Sequence, residues 1–302
     1  MQRGRSEVAP PAGLPLLLVH GFLGEAADWD ALRALLGTDV AAACFELPGH
    51  GAAPPVTAAA SDRSAEAARR RRRLPTGLAE ASMAAAAAGW FPDAARRLER
   101  ACARLPAPPV LVGYSMGGRL ALYTAVRHPG VARALVLLGA DPGIAEPAVR
   151  AERRARDDAL ARELAAAGNE QEFAAWLRRW YAAPLFGRLN RHAAFETLLR
   201  RRLRQRPGAL AAALRGLSVS RQPALWNALQ ALPIPALFIA GAEDARYRAV
   251  AGRIAALGPP RQAAVCPGAA HAVHIEQPDA VAGLIRSFAR SVAAGAADRP
   301  VD

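Results

Sequence analysis

The chain's 302 residues are enough for one large α/β domain or two small ones with a sizeable core, and 52% hydrophobic content with only 6% aromatics makes that core mostly Leu, Val, Ala and Ile. All 39 basic residues are arginine, against 26 acidic ones, for a formal charge of +13; with no nucleic-acid motif and the arginines scattered over many helical segments, the excess reads as GC-rich coding bias rather than a nucleic-acid partner. Cys44, Cys102 and Cys266 are too far apart for a metal spacing or a disulfide framework and suit a reducing cytoplasm as small buried hydrophobes, and neither the polar start nor the short run Leu14–Val19 predicts export or membrane insertion.

Leu14 to Val19 is continuously apolar and ends in His20-Gly21, the pattern of a strand buried on both faces. Asp28 to Leu36 reads as a helix with Trp29, Leu32 and Leu36 on one side. Ala41 to Leu47 is a second strand, stopped by Pro48-Gly49-His50-Gly51. Residues 52–88 hold Ala runs and the arginines Arg69 to Arg73, without apolar periodicity, and read as a flexible surface insertion with no site. Phe91 to Leu105 is predicted helical, Pro109 to Gly113 a strand, Gly117 to His128 a helix and Ala134 to Gly139 a strand. This alternation argues for a mostly parallel sheet covered on both sides.

Glu146 to about Leu217 breaks the alternation with consecutive amphipathic helices. Such an insertion would sit above the strand ends as a cap, where sites form. The sheet resumes with Pro235 to Ala240 and Gln262 to Cys266, and Pro278 to Ala294 closes the chain as a helix. The expected organisation is a core of 12–145 and 218–295, a flexible insertion at 52–88 and a helical cap at 146–217.

Gly113-Tyr114-Ser115-Met116-Gly117 fits G-x-S-x-G between a strand and a helix. The Ser would occupy a strained turn at a helix N-terminus, where backbone N–H groups favour developing negative charge. That makes Ser115 the candidate nucleophile or base of an α/β-hydrolase fold. In that fold the acid and then the His follow the Ser in the chain. His271, directly after Gly268-Ala269-Ala270, is the favoured base; His274 is its rival and reads instead as structural or exposed. Asp244, after the apolar run Leu237 to Ala240, is the favoured acid. Asp141 is second choice, and Glu243 has the wrong phase. The backbones of Phe22 and Met116 are the expected oxyanion donors. His20 and His50 read as loop-stabilising residues, and His128 and His192 have no evident partner.

Further segments carry a closer resemblance. Gly113 to Leu122, Arg153 to Ala161, Trp180 with Pro184-Leu185-Phe186, Gln222-Pro223 ahead of Leu225-Trp226, and Gly268 to Glu276 resemble the 2-succinyl-6-hydroxy-2,4-cyclohexadiene-1-carboxylate synthases of menaquinone biosynthesis. The resemblance runs over nearly the whole chain from Leu14, excepting 52–88. It implies a lyase that eliminates pyruvate from an enolpyruvyl-cyclohexene carboxylate bearing a succinyl side chain, with no metal or organic cofactor. It further implies a small substrate with three carboxylates, held by Arg119, Arg153 and Arg202 in a pocket lined by Tyr114 and Trp180. Two positions depart from the family: Glu46 stands where Asp is frequent, and Asp141 where a small residue is usual, which adds an anion near an anion-binding site. A serine esterase or C–C-bond hydrolase using the same three residues is the alternative.

Overall fold

A computed structural model of the chain describes residues 14–38, 40–56 and 89–297. Six parallel strands form one sheet in the order β2-β1-β3-β4-β5-β6. They are β1 (Leu16–Val19), β2 (Ala42–Phe45), β3 (Val110–Tyr114), β4 (Ala134–Leu138), β5 (Ala236–Gly241) and β6 (Arg261–Cys266). The four central strands, β1, β3, β4 and β5, are buried along their whole length, as their unbroken apolar sequences require. The two edges are not: β2 is half-buried throughout, and Val265 on β6 is 50% exposed.

Side chains alternate between two cores. Leu16, Leu18, Val112, Val136 and Ile239 face one, together with Trp29 and Leu32, and with Ile285 and Phe288 of the closing helix. Leu17, Val19, Leu111, Leu135 and Phe238 face the other, beneath Phe91, Leu98, Leu120 and Ile254. The helices over these faces are α1 (Asp30–Leu36), α2 (Trp90–Cys102), α3 (Met116–Arg127), α8 (Trp226–Ala231), α9 (Ala245–Ala255) and α11 (Pro278–Ala297).

Between β4 and β5 come α4 (Pro147–Ala166), α5 (Glu170–Tyr181), α6 (Phe195–Leu203) and α7 (Pro207–Gly216). Their apolar residues Leu164, Phe173, Trp176 and Leu198 belong to the first core, so this helical block is packed onto the sheet domain rather than held at arm's length. A short helix, α10 (Val273–Glu276), precedes α11.

The strand order places the site. The chain leaves β1 toward β2, then crosses back to lay β3 on the other side of β1. Loops leaving the C-terminal ends of β1 and β3 therefore diverge around one crevice, the topological switch point where open α/β sheets bind ligands. Those loops carry Phe22 and Ser115.

Three local readings change. The first helix begins as a 3-10 turn at Ala26–Trp29, two residues early, because Glu25 and Asp28 cap each other's backbone there. Helix α2 ends at Cys102, short of Leu105, where the chain turns to bond Leu105 N–H to the Cys102 carbonyl. Cys44, expected to be buried, is only half-buried because β2 is an edge strand. The expected insertion lies outside the described residues from 57 to 88. No helix among the described residues is long and apolar enough to cross a membrane.

Candidate active site

Ser115 adopts φ +49° and ψ −110°, outside the regions an L-residue prefers. The bend is sustained from both sides: Ser115 N–H donates to the Leu138 carbonyl at 2.8 Å, and its own carbonyl accepts the Arg119 N–H at 3.0 Å. Gly117 is what lets α3 start so close to the sheet. A Cβ there would lie 2.2 Å from the His20 carbonyl oxygen and 2.3 Å from that of Val19, both backbone atoms. Met116 opens α3, so its N–H is among those that the helix leaves without an acceptor.

His271 follows β6 on the loop Pro267–Ala272 and reaches back across the end of β4. The crossing needs Gly139: with φ +54°, its missing Cβ would sit 2.8 Å from the His271 ring. His271 Nε2 lies 3.1 Å from Ser115 Oγ, and Nδ1 lies 2.9 Å from Asp244 Oδ2. The other Asp244 oxygen caps α9 by accepting the Tyr247 N–H at 3.0 Å. His271 and Asp244 are both buried, and Tyr247, Tyr114 and Phe186 stand around the imidazole with ring centroids 4.7, 5.2 and 6.0 Å away. The three favoured residues thus meet as one hydrogen-bonded chain.

The rivals go elsewhere. Asp141 accepts the Gly143 N–H and pairs with Arg246 at 3.3 Å, so the unexpected anion is met by a cation at the pocket wall. Glu243 lines an outer groove. His274, far from exposed, is 1% accessible and packed between Trp29 and Tyr114 at 4.5 and 4.4 Å. Neither ring nitrogen has a partner, and burial pushes its pKa down to about 3.

His20 and His50 do hold loops. His20 Nδ1 lies 2.8 Å from the Gly21 carbonyl, and Nε2 lies beside Glu46 and the Leu47 N–H. Burial works to raise the Glu46 pKa, but hydrogen bonds with His20 and the Ala26 N–H outweigh it and leave a lowered value. His50 Nε2 accepts the Leu23 N–H at 3.0 Å. His128 pairs with Glu99 at 2.9 Å, and His192 Nδ1 accepts the Ala194 N–H.

A cavity of about 110 Å3 opens at Ser115 and His271, lined also by Phe22, Met116, Tyr114 and Trp180. Arg119, Arg153, Arg202 and Arg246 all reach its wall. Each is partly engaged. Arg119 donates to Gln222 Oε1 at 3.3 Å, and burial lowers its pKa to about 10. Arg153 uses Nε on Asp157 at 2.8 Å. Arg202 is fully buried, bonding Asp28 at 2.6 Å and the Tyr181 hydroxyl at 3.1 Å, yet its Nη1 has no partner. An adjoining groove of about 670 Å3 shares Arg153, Trp180, Leu185, Phe186 and Arg246 with the cavity, so the site has an outer vestibule. Among the described residues no three or more His, Cys, Asp or Glu side chains gather to hold a metal.

Glu276 ends the motif that runs from Gly268. Its carboxylate accepts the Ala270 N–H at 2.9 Å and the Ala272 N–H at 3.0 Å, clamping the amides on either side of His271. The five-residue spacing from His271 to Glu276 was the signal available in the sequence. Arg246, two residues after Asp244, carried no such signal, because its approach to the pocket depends on the first turn of α9.

A parallel sheet with a strained Ser after β3, an Asp after β5 and a His after β6 defines a class. The chain belongs to the alpha/beta hydrolase family, whose pattern it matches over residues 16–284. Within that class it is similar to 2-succinyl-6-hydroxy-2,4-cyclohexadiene-1-carboxylate synthases. The enzyme of that name from Enterobacter sp. (strain 638) is 28% identical over 287 residues, covering 95% of this chain and 96% of the relative. A Bacillus subtilis (strain 168) relative, provisionally given the same name, is 34% identical over 186 residues, 60% of this chain and just 66% of its own length. Among solved structures, MenH from S. aureus superposes with a TM-score of 0.76 and 27% identity, over 95% of this chain and 97% of that one.

Proposed function

We propose that this chain is a lyase of menaquinone biosynthesis that eliminates pyruvate from 2-succinyl-5-enolpyruvyl-6-hydroxy-3-cyclohexene-1-carboxylate, giving 2-succinyl-6-hydroxy-2,4-cyclohexadiene-1-carboxylate. The observation that carries the reading is the combination of one Ser–His–Asp chain with four arginines on the wall of the same cavity. A neutral ester would need no such cations, whereas a substrate with three carboxylates would.

In this reading Ser115 is the base. Its oxygen removes the proton α to the succinyl ketone while His271 takes the hydroxyl proton, and Asp244 orients and stabilises the resulting imidazolium. The ketone oxygen becomes an enolate oxygen, received by the Phe22 and Met116 N–H groups. The electron pair then returns through the ring double bond and breaks the C–O bond to the enolpyruvyl group, which takes up the proton held by His271 as it leaves and becomes pyruvate, returning His271 to its neutral form. No acyl-enzyme is formed. Arg119, Arg153 and Arg202 hold carboxylates, Tyr114 and Trp180 line the pocket, and 146–217 acts as the cap over the 12–145 and 218–295 core. The reading carries with it a small anionic substrate, no nucleic-acid partner and a cytoplasmic site of action.

The test is a coupled assay of pyruvate release from the enolpyruvyl substrate, run beside hydrolysis of p-nitrophenyl acetate. The lyase reading expects pyruvate release to dominate. Fast ester turnover with no pyruvate would replace it with the esterase alternative.

A further inference from the structure

The loop after β1 is held by a clamp whose second jaw comes from the helical block. Gly24 N–H bonds the Gly21 carbonyl at 3.0 Å, closing a turn with Phe22 and Leu23 at its centre. Leu23 sits at φ +66°, in the third position of the turn, where a type II turn takes Gly. A leucine held there carries strain of about 1–2 kcal/mol, which persists only where the surroundings over-determine it.

Two buried side chains do so here. The Leu23 N–H donates to His50 Nε2 at 3.0 Å, and the Leu23 carbonyl accepts from Gln205 Nε2 at 2.6 Å. The same Gln205 nitrogen reaches the Gly24 carbonyl at 3.4 Å, and its Oε1 accepts the Gly51 N–H at 3.4 Å. Gln205 is therefore a buried amide bridging the two loops at 21–24 and 48–51. It lies just past α6, three residues after Arg202. Arg201 and Arg202 bind the same stretch of chain, at the Ala27 carbonyl and the Asp28 carboxylate.

We propose that Gln205 is a positioning residue for the oxyanion hole, fixing the aim of the Phe22 N–H by holding the Leu23 turn in its strained form. The inference rests on the assignment of Phe22 as an oxyanion donor. Its consequence is that the end of α6 serves two stages: Arg202 meets a substrate anion, and Gln205 completes the hole in which the enolate forms. Removing Gln205 acts on the transition state more than on ground-state binding, because the Phe22 amide matters most when negative charge develops.

The experiment compares Gln205→Ala, Gln205→Glu and Gln205→Asn with the wild type on two substrates, the enolpyruvyl compound and p-nitrophenyl acetate. Affinity for phenylboronic acid, whose adduct with Ser115 presents an oxygen to the hole, is measured alongside. Expected are a kcat loss of about 10- to 100-fold for Ala and Glu on both substrates, below the ~100- to 1,000-fold of a deleted oxyanion donor. KM should stay within about threefold, boronate affinity should fall in parallel with kcat, and Asn should recover part of the loss. Glu is informative because it keeps the shape but has no N–H to donate to the Leu23 carbonyl. Unchanged kcat in Ala and Glu, or a loss confined to KM, would overturn the proposal; so would a lower Tm with normal rates. If the wild type hydrolyses the ester but releases no pyruvate, the lyase reading fails and the ester rates still decide the role of Gln205. If it turns over neither, boronate affinity decides it.

Discussion

Ser115 is held by its neighbours in a backbone conformation that it would not choose. Its hydroxyl meets His271 at 3.1 Å, and the ring is fixed in turn by Asp244. Ser115→Ala removes the hydroxyl, oxygen and proton together, and little that packs, so turnover should fall by at least about 1,000-fold with Tm unchanged. Near-normal steady-state rates in that variant would refute the role.

Arg119 offers a sharper test of substrate class at the same scale. It is buried, and its Nη1 bond to the neutral Gln222 leaves its charge without a carboxylate partner through that atom. Arg119→Ala should cut kcat/KM for the carboxylated substrate by about 10- to 100-fold, the range for a lost charged hydrogen bond of ~1.5–3 kcal/mol. The ester rate should change much less, and an equal loss on both substrates would argue against a carboxylate contact. His274 bears on stability instead. Burial holds the folded-state value near 3 against an ordinary 6.5, so between those values the unfolded chain binds the extra proton. The stability from a neutral His274 is complete above pH 6.5 and is lost as pH falls toward 3, by up to about 1.4 kcal/mol per unit. His274→Phe keeps a ring between Trp29 and Tyr114, so its acid-unfolding midpoint should lie at lower pH than that of the wild type. Identical midpoints by far-UV circular dichroism would remove His274 from the account.

At the scale of elements, the positions of Ser115, Asp244 and His271 follow from how each strand ends. Helix α3 starts on Ser115, α9 starts on Asp244, and the loop after β6 swings His271 across Gly139. That last loop is the least supported by regular structure, and Glu276 closes it. Burial raises the Glu276 pKa, yet its carboxylate accepts two amides from the His271 loop. Glu276→Ala should leave those N–H groups unmet, costing about 1–3 kcal/mol of stability. With His271 less firmly held, kcat should drop about tenfold or more. Glu276→Gln, retaining one acceptor, should fall between the two in both Tm and kcat. An Ala variant with normal kcat would make the clamp purely structural.

These elements also mark what could be read in advance. The central strands are unbroken apolar runs, and the order of Ser, Asp and His is set by topology, so the strands, the elbow and the meeting of Ser115, His271 and Asp244 were legible. What was hidden depends on contacts distant in the chain. Asp28, the partner of Arg202, lies 174 residues away, and Gln205 lies 182 residues from Leu23. Nothing in Leu23 announces a positive φ, because leucine takes it only under the pull of His50 and Gln205. Asp141 looked like an unwelcome anion until the first turn of α9 brought Arg246 beside it.

Across the whole molecule, the +13 charge gains meaning from where some of it is placed. Among the described residues, many arginines are exposed on helix surfaces. Four enter one cavity wall, and Arg153 and Arg246 continue into the outer groove. The groove sets Arg153, Arg156, Arg179 and Arg246 against Asp157, Glu163, Glu243 and Asp244, whereas the inner wall sets its four arginines against Asp28 and Asp157 alone, so the cationic excess lies at the inner wall. A substrate with three carboxylates should then feel both the diffuse field of the protein and the close guanidinium groups, and salt should weaken the two unequally. Raising ionic strength from about 0.01 to 1 M shortens the screening length from ~30 to ~3 Å, which removes the field but spares contacts at hydrogen-bond distance. The expected result is a several-fold fall in kcat/KM for the carboxylated substrate, carried mostly by KM, with kcat nearly constant. Hydrolysis of a neutral ester by the same preparation should be flat across that range. A salt response equal for both substrates would mean that the arginines act on the protein's stability or solubility and not on what enters the site.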